Sequence, residues 1–288
     1  MCLVGFLLGA LAQLPAQQQT APPLPSDATR FVAGVIQHDL KADDTDRSHW
    51  RYIYFHSDEK SSYERDVIET RDGELARELL KNGRPLTADQ RQQDEDRMRK
   101  LVSDPDERAK RNKRKQEDAA KAKQMLQAIP DAFVFKYDGF DGNLVRLTFF
   151  PNPHYDAPTR ELRVFRSLSG KMWIDPQARH LARIDGTLFE DVTFGWGLLG
   201  RLNKGGKFNV VQKEVAPDHW EVVSLDVNMT GHAVIFKTLN VREHETFRDF
   251  QRMPDDLTIA QAFNLLQKDK EPVSANGRNG VPDSEARK

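Results

Sequence analysis

One glycine-rich motif in this chain has the spacing of a nucleotide-binding loop. The segment Gly195–Gly200 has the pattern G-x-G-x-x-G after a predicted strand, and Glu214 follows it. In a dinucleotide-binding unit these glycines let the backbone approach a pyrophosphate, and an acidic residue about 20 positions further on binds the ribose. That unit also needs a crossover helix of about ten or more residues. Only Leu198–Lys204 is available before Gly205 and Gly206 interrupt the chain, so we predict no nucleotide cofactor.

The other residues that could perform chemistry are scattered. No two of the eight histidines lie two to five positions apart, and the single cysteine, Cys2, cannot complete a Cys/His zinc site. The sequence has no G-x-S-x-G, P-loop or H-E-x-x-H motif. The polar face of a strand accounts for Glu243–Glu245, which includes His244. We therefore predict that the chain is not an enzyme and that it has no catalytic residues, no cofactor and no metal site. A Ser/His/Asp site assembled from distant positions is the least favoured alternative.

The glycine-rich segment also places large apolar side chains between two strands. A strand-to-strand turn needs two to five residues, whereas about twelve separate Phe194 from Lys207. Exposing each large side chain to water would cost about 1.5–3 kcal/mol, so these side chains must pack on the core or on a ligand. The glycines give the backbone the freedom that a lid would use. We predict that the entrance of a hydrophobic cavity is lined by the 194–202 segment: Phe194, Trp196, Leu198, Leu199 and Leu202. The alternative is that the segment plugs the core.

The charge pattern argues against a nucleic-acid partner. The net charge of −1 gives no general attraction to nucleic acid or to an anionic membrane. The basic run Arg108–Lys115 is flanked by acidic residues, and no aromatic residue that could stack on bases lies nearby. A solvated helix with ion pairs between positions i and i+4 is the favoured interpretation, and contact with anionic headgroups is the alternative role.

The N-terminal residues predict secretion. Leu3–Ala12 is an apolar run of roughly ten residues, which matches a signal-peptide core and is too short for the ~20 residues that span a bilayer. Ala10-Leu11-Ala12 offers a cleavage site. A positively charged region before the run is missing, which is consistent with a truncated signal. We expect a signal peptide over 1–16, a linker over 17–25, and a periplasmic or otherwise extracytoplasmic location.

The rest of the chain predicts one β-rich domain over 26–266 with a disordered tail over 267–288. A cap at Ser26 or Asp27 and apolar residues at helical spacing predict a helix over 27–40. A polar, charged stretch predicts a helical insertion over 88–128, with helices at 88–102 and 105–128, the middle of which projects into water. Runs of β-forming residues between turn signals predict strands at 51–55, 66–70, 132–137, 143–150, 161–168, 171–174, 180–189, 191–194, 207–215, 219–229 and 232–247.

Two of these strands resemble a known family. Lys171–Pro176 reads K-M-W-I-D-P and Leu181–Ile184 reads L-A-R-I. Similar strand pairs occur in the lipoprotein-carrier superfamily of bacterial envelopes, which includes the periplasmic lipoprotein carrier, the outer-membrane lipoprotein receptor, outer-membrane lipoprotein-sorting relatives and an envelope-stress sensor. Met172–Arg252, the secretion signal and the N-terminal helix all resemble this group. The 88–128 insertion departs from the small carriers, and the Phe194–Lys204 segment and Pro151-Asn152-Pro153 look more like an uncharacterised bacterial subgroup.

The resemblance implies an α+β, mainly β fold, in which an antiparallel meander curves into an open half-barrel with an apolar concave face covered by helices. It also implies that a lipid or an acylated protein is bound without chemistry. We therefore expect a non-enzymatic envelope protein that binds a hydrophobic ligand in the half-barrel. The alternative is a periplasmic interaction or sensor scaffold that contacts a membrane surface or an envelope partner through residues 88–128.

Overall fold

The strands of this computed structural model form one open antiparallel sheet. The model describes residues 24–194, 200–233 and 237–268. The order across the sheet is β4-β3-β2-β1-β13-β12-β11-β8-β7-β6-β5, and β10 pairs with both β9 and β12. The predicted fold class is confirmed. The strands are β1 His49–Ser57, β2 Ser62–Thr70, β3 Gly73–Lys81, β4 Arg84–Pro85, β5 Phe133–Asp141, β6 Leu144–Pro151, β7 Leu168–Asp175, β8 His180–Leu188, β9 Val192–Phe194, β10 Gly200–Leu202, β11 Lys207–Ala216, β12 His219–Ala233 and β13 Lys237–Met253.

The helices begin at the residues that the sequence indicates. Helix α1 is Ala28–Thr45, α2 is Ala88–Ser103, α3 is Pro105–Ala132 and α4 is Ile259–Lys268. Asp27 accepts a hydrogen bond from the backbone N–H of Arg30, and Asp104 accepts one from Glu107, each at 3.0 Å. Such carboxylate caps satisfy N–H groups that have no partner inside the helix.

Three local predictions are wrong for identifiable reasons. Residues 161–168 were expected to form a strand, but Glu161–Ser167 is a 3₁₀ helix that buries Leu162 and Phe165, whose i, i+3 spacing suits that helix. The strand β3 was missed because Glu74–Lys81 is rich in helix formers; pairing with β2 overrides that preference. The expected turn at Thr230-Gly231 lies inside β12. A Cβ at Gly231 would lie 2.0 Å from the carbonyl oxygen of Arg201, so glycine permits β10 to approach here.

Two hydrophobic cores lie on opposite faces of the sheet. The first core joins α1 and the end of α3 to β5–β8, and it includes Val32, Phe149 and Met172. The second core joins α2 and α4 to β2 and β3, and Ile68 and Leu75 lie at its centre. Because side chains alternate along a strand, Ile68 and its neighbour Val67 point to opposite faces of the sheet. Strand register across the central strands places Val67 on the same face as Ile184 of β8, which packs on the first core.

Helix α3 crosses the face that carries the first core. Its 28 residues span about 42 Å. Near its start Lys115 lies 3.5 Å from Glu69 and 2.7 Å from Glu74, and further along Lys123 pairs with Asp44 of α1. Residues 113–122, the middle of this helix, are exposed, in agreement with the expectation that this part faces water. The end of the helix packs into the first core through Ile129 and Ala132, and the ion pairs of Lys115 and Lys123 add to that packing.

Several predicted segments lie outside the described residues. They are the signal peptide over 1–16, most of the 17–25 linker, Trp196, Leu198 and Leu199 of the 194–202 segment, and positions 269–288 of the tail. Leu24 packs against the first core, and the carbonyl oxygen of Pro25 accepts a hydrogen bond from Tyr137 at 2.8 Å. In the described part of the chain no helix is long and apolar enough to cross a membrane.

Burial of the α2 side chains predicts a difference between two methionines of the 88–128 insertion. Met98 is fully buried in the second core, whereas Met125 is 39 % exposed. We expect Met98→Ala to lower the free energy of unfolding by about 2–5 kcal/mol and Met125→Ala to change it by less than about 0.5 kcal/mol. Urea denaturation measures both. If both substitutions were neutral, the whole insertion would be independent of the core.

Candidate functional site

Aromatic side chains form a continuous strip, here called the aromatic strip, on the face of the central strands that carries the first core. Alternation places Trp50, Tyr52 and Tyr54 of β1 on this face, and register adds side chains of β2 and β13. His219 of β12 joins the strip by stacking on Trp50. Most of these rings are half-buried, although α1 and α3 lie over the same face. The strip consists of His219, Trp50, Phe250, Tyr52, Phe247, Tyr54, Tyr63 and His56.

Contacts between neighbouring rings run along the whole strip. Trp50 stacks on His219 with ring centroids 4.3 Å apart, and Tyr52 lies 5.4 Å from Phe250. Tyr54 stacks on Phe247 at 5.0 Å. Such contacts contribute about 0.5–1.5 kcal/mol beyond area burial, so the rings form a fixed surface before any ligand arrives.

Two adjoining cavities open onto one end of the strip. One, of about 520 Å³, lies between α1, α3 and the sheet, and its lining combines apolar side chains such as Leu40 and Leu126 with charged ones such as Asp46 and Glu221. The other, of about 220 Å³, is lined by Trp50, Tyr52, Glu69, Glu221, Val222, Phe247 and Phe250. Because Glu221 and Val222 line both cavities, the two form one groove, here called the strip groove, that leads from beneath the helices onto the aromatic strip.

Carboxylates lie within this groove. Burial raises the pKa of Glu221, although the imidazole of His219, whose Nε2 lies 3.0 Å from Oε1, acts in the opposite direction. Burial and the nearby carboxylates of Glu74, Glu69 and Glu221 hold the pKa of Tyr52 well above its usual range. The Tyr52 hydroxyl therefore stays a neutral hydrogen-bond donor beside these carboxylates.

A second polar group lies further along the strip. The Tyr54 hydroxyl donates a 2.5 Å hydrogen bond to Glu245, and Nδ1 of His56 lies 3.2 Å from the same carboxylate oxygen. Burial and that hydrogen bond raise the pKa of Tyr54 above its usual range. The expected surface cluster over 243–245 is thus divided between two faces, because Glu245 joins the strip while His244 lies 2.6 Å from Asp226 on the other side.

The structure partly describes the 194–202 segment. Phe194 ends β9, and Leu202 in β10 is half-buried against the first core. Strand β10 runs antiparallel to β9, whereas a dinucleotide-binding unit needs parallel strands and a crossover helix. The rejection of the G-x-G-x-x-G motif is therefore consistent with this topology. The assignment of the segment to a cavity entrance stays a prediction.

One serine lies near a histidine and carboxylates, but not in the order of a catalytic triad. Ser48 Oγ donates to Asp46 at 2.9 Å, and Trp50 Nε1 donates to Ser48 Oγ at 2.7 Å. His219 Nδ1 lies 3.5 Å from Asp46, and its Nε2 faces Glu221. In a triad the imidazole lies between the serine and the carboxylate and accepts the serine proton. Here Asp46 occupies that position, so Ser48 has no imidazole base.

A further concavity, of about 700 Å³, lacks the aromatic strip and is bordered by charged side chains, among them Arg183, Asp185, Asp226 and His244. Arg183 pairs with Asp185 at 2.6 Å and stacks over Trp173. These charges already have partners within the fold, so the strip groove is the better candidate site.

Sequence reasoning missed the residues that line the strip groove. The alternation Trp50-x-Tyr52-x-Tyr54 was visible as one aromatic face of a strand. The pairing of that face with Phe247 and Phe250 was not, because some 190 residues separate the partners. The structure also brings His180 to His38 and Asp39, although no spacing in the sequence indicates that grouping.

Comparisons with known proteins return structures of similar topology. The chain is similar to an outer membrane lipoprotein-sorting protein domain from Vibrio parahaemolyticus, with 11 % identity, 82 % of this chain and 98 % of that chain covered, and a TM-score of 0.30. It is also similar to a DUF1329 family protein from Desulfovibrio piger, with 8 % identity, 79 % and 94 % coverage, and a TM-score of 0.27. The first belongs to the group that the sequence resemblance named. At these TM-scores neither likeness bears on function.

No protein-family model matches the chain, and no curated protein matches it.

The raised pKa of Glu221 predicts a pH dependence of stability. A carboxyl group whose pKa is higher in the folded state than in the unfolded state makes folding less favourable once it ionises, so the penalty appears as the pH rises above about 4.5. We expect Glu221→Gln to raise the free energy of unfolding at pH 7–8 and to leave it nearly unchanged at pH 4. Urea denaturation across this range measures the difference. The fully exposed Asp156 supplies the control Asp156→Asn. An increment that does not vary with pH would contradict the assignment.

Proposed function

We propose that this chain is a non-enzymatic envelope protein that binds a hydrophobic ligand, a lipid or a lipid-modified protein, in the strip groove. The observation that carries the proposal is the aromatic strip itself. It is preformed and half-exposed, and it runs into a cavity beneath α1 and α3. Ligand pockets combine apolar and aromatic side chains with placed polar groups, as the rings of the strip do here with Tyr52 and Glu221.

The energetics favour a long apolar ligand. Micromolar affinity corresponds to about 8 kcal/mol. At about 25 cal/mol per Å² this requires burial of roughly 330 Å² of apolar surface, before the cost of ordering the ligand. A short ligand confined to the 220 Å³ cavity would bury too little, so the ligand should extend along the strip or beneath the helices.

The 194–202 segment has a place in this proposal. Leu202 packs on the first core, and β10 pairs with the far end of β12. We propose that Phe194, Trp196, Leu198, Leu199 and Leu202 line the entrance of the hydrophobic site. The location that goes with this function is periplasmic or otherwise extracytoplasmic, which cell fractionation of a tagged full-length chain tests.

A second candidate function uses the outer side of α3. Arg111, Lys113 and Lys121 are exposed there and pair with acidic neighbours on the same helix. As an alternative, this helix and α2 contact a membrane surface or an envelope partner while the sheet acts as the scaffold. A protein that binds no apolar probe but is retained on anionic vesicles would support this alternative.

The proposed function predicts binding that depends on acyl-chain length. Each buried methylene contributes about 0.8 kcal/mol, so lengthening a fluorescent fatty acid by two carbons should tighten binding by up to about 15-fold until the groove is filled. We expect Phe250→Asp to weaken binding of the longest probe at least about tenfold. Phe150, which is 48 % exposed and outside the groove, gives the control Phe150→Asp. Affinities that do not depend on chain length, or equal losses in both variants, would exclude the groove as the binding site.

Native mass spectrometry of protein purified from its own envelope identifies the ligand.

The entrance assignment predicts that two substitutions separate binding from stability. Trp196→Ala and Leu199→Asp should weaken probe binding while the melting temperature stays near that of the unsubstituted protein. If the segment instead plugs the core, the same substitutions should lower stability by about 2–5 kcal/mol. Thermal unfolding and probe titration of the same samples distinguish the two. Loss of stability without probe binding would refute the entrance assignment.

A further inference from the structure

Three side chains from two distant parts of the chain converge between α1 and β8. His38 and Asp39 are neighbours on α1, and His180 is the first residue of β8. Nδ1 of His180 lies 2.6 Å from Oδ1 of Asp39, and Nδ1 of His38 lies 3.9 Å from the same oxygen. One potential ligand atom from each residue lies within 4.8 Å of the other two.

Two of these atoms are buried without a hydrogen-bond partner. Nδ1 of His38 and Oδ1 of Asp39 are shielded from solvent without a hydrogen bond of acceptable geometry. The side chains of Asp39 and His180 are only 16 % and 10 % exposed. Within the described residues, the recorded ion pairs of Asp39 are with the two histidines alone. A buried carboxylate requires a positive charge or a full set of donors.

The surrounding groups hold these side chains in place. Oδ2 of Asp39 accepts a hydrogen bond from the backbone N–H of Leu181 at 3.2 Å, which leaves Oδ1 directed at the histidines. The His180 ring stacks on Trp220 at 5.0 Å, and the His38 ring meets His180 edge-on at 4.8 Å. The hydrogen bond to Oδ2 is of the kind that orients a ligating carboxylate in protein metal sites.

We propose that His38, Asp39 and His180 bind a divalent transition-metal ion of the zinc class. Two imidazole nitrogens and one carboxylate oxygen suit Zn²⁺ or Co²⁺, whereas Mg²⁺ and Ca²⁺ prefer oxygen ligands alone. Metal–ligand bonds of about 2.0–2.1 Å place tetrahedral ligands about 3.3 Å apart. The distances of 2.6 and 3.9 Å lie on either side of that spacing, so small side-chain rotations would form the site.

The proposed metal site borders the strip groove. Asp39 and His180 both line the cavity of about 520 Å³ beneath α1 and α3. A bound ion would cross-link α1 to the sheet, and three protein ligands leave a fourth position for water or a ligand oxygen. The ion would therefore fix the helix that covers the groove.

Zinc titration of untagged, full-length protein freed of metal with EDTA tests the proposal. Isothermal titration calorimetry should show one Zn²⁺ bound per chain and no comparable binding of Mg²⁺. Co²⁺ should give the visible absorption of a tetrahedral site with nitrogen and oxygen ligands. We expect His38→Ala, Asp39→Asn and His180→Gln each to weaken Zn²⁺ binding by about tenfold or more. His154 is exposed and outside the cluster, so His154→Ala should bind as the unsubstituted protein does.

His38→Ala separates loss of metal binding from loss of folding. The His38 side chain is 38 % exposed on α1, so its removal should leave the fold intact by circular dichroism. Zn²⁺ should also raise the melting temperature of the unsubstituted protein more than that of His38→Ala. If the folded protein bound no Zn²⁺, or if the cluster variants bound it as tightly as His154→Ala, the proposal would be overturned.

Discussion

The rest of the fold is arranged around the aromatic strip of the central strands, which only the neighbouring helices can cover. Helix α1 packs on β5 and β8, α2 on β3, and α4 on β2 and β3. The two cores therefore bury the ends of the sheet, on opposite faces, while most rings of the aromatic strip between them stay half-buried. Large aromatic rings left in this state favour a ligand or partner that removes them from water.

The long helix is held over that face by apolar packing at its end and by ion pairs along its middle. Ile129 and Ala132 are buried in the first core, whereas Lys115 and Lys123 pair with the sheet and with α1. Exposed ion pairs are individually worth about 0–1 kcal/mol, so the middle of the helix is held less tightly than its end.

The opposite face uses charge differently, because there the ions are buried. Asp66 is 4 % exposed and pairs with Arg51 at 2.7 Å and with Arg77 at 3.4 Å. Arg77 also donates to the carbonyl oxygen of Leu266 near the end of α4, where a cation complements the helix dipole. Removing one member would leave a buried charge without its partner, which is strongly destabilising.

The sequence by itself determined the elements whose signals are local. The caps at Asp27 and Asp104, the strand pair around Trp173 and the mainly antiparallel class follow from residues a few positions apart in the sequence. Only the tertiary structure decided which side chains share a face. Strand register joins Tyr54 to Phe247, and the packing of α1 on β8 joins Asp39 to His180; neither contact leaves a periodic trace in the sequence. The strand β3 and the placement of α3 were likewise set by pairing and by long-range ion pairs, which outweigh local preference.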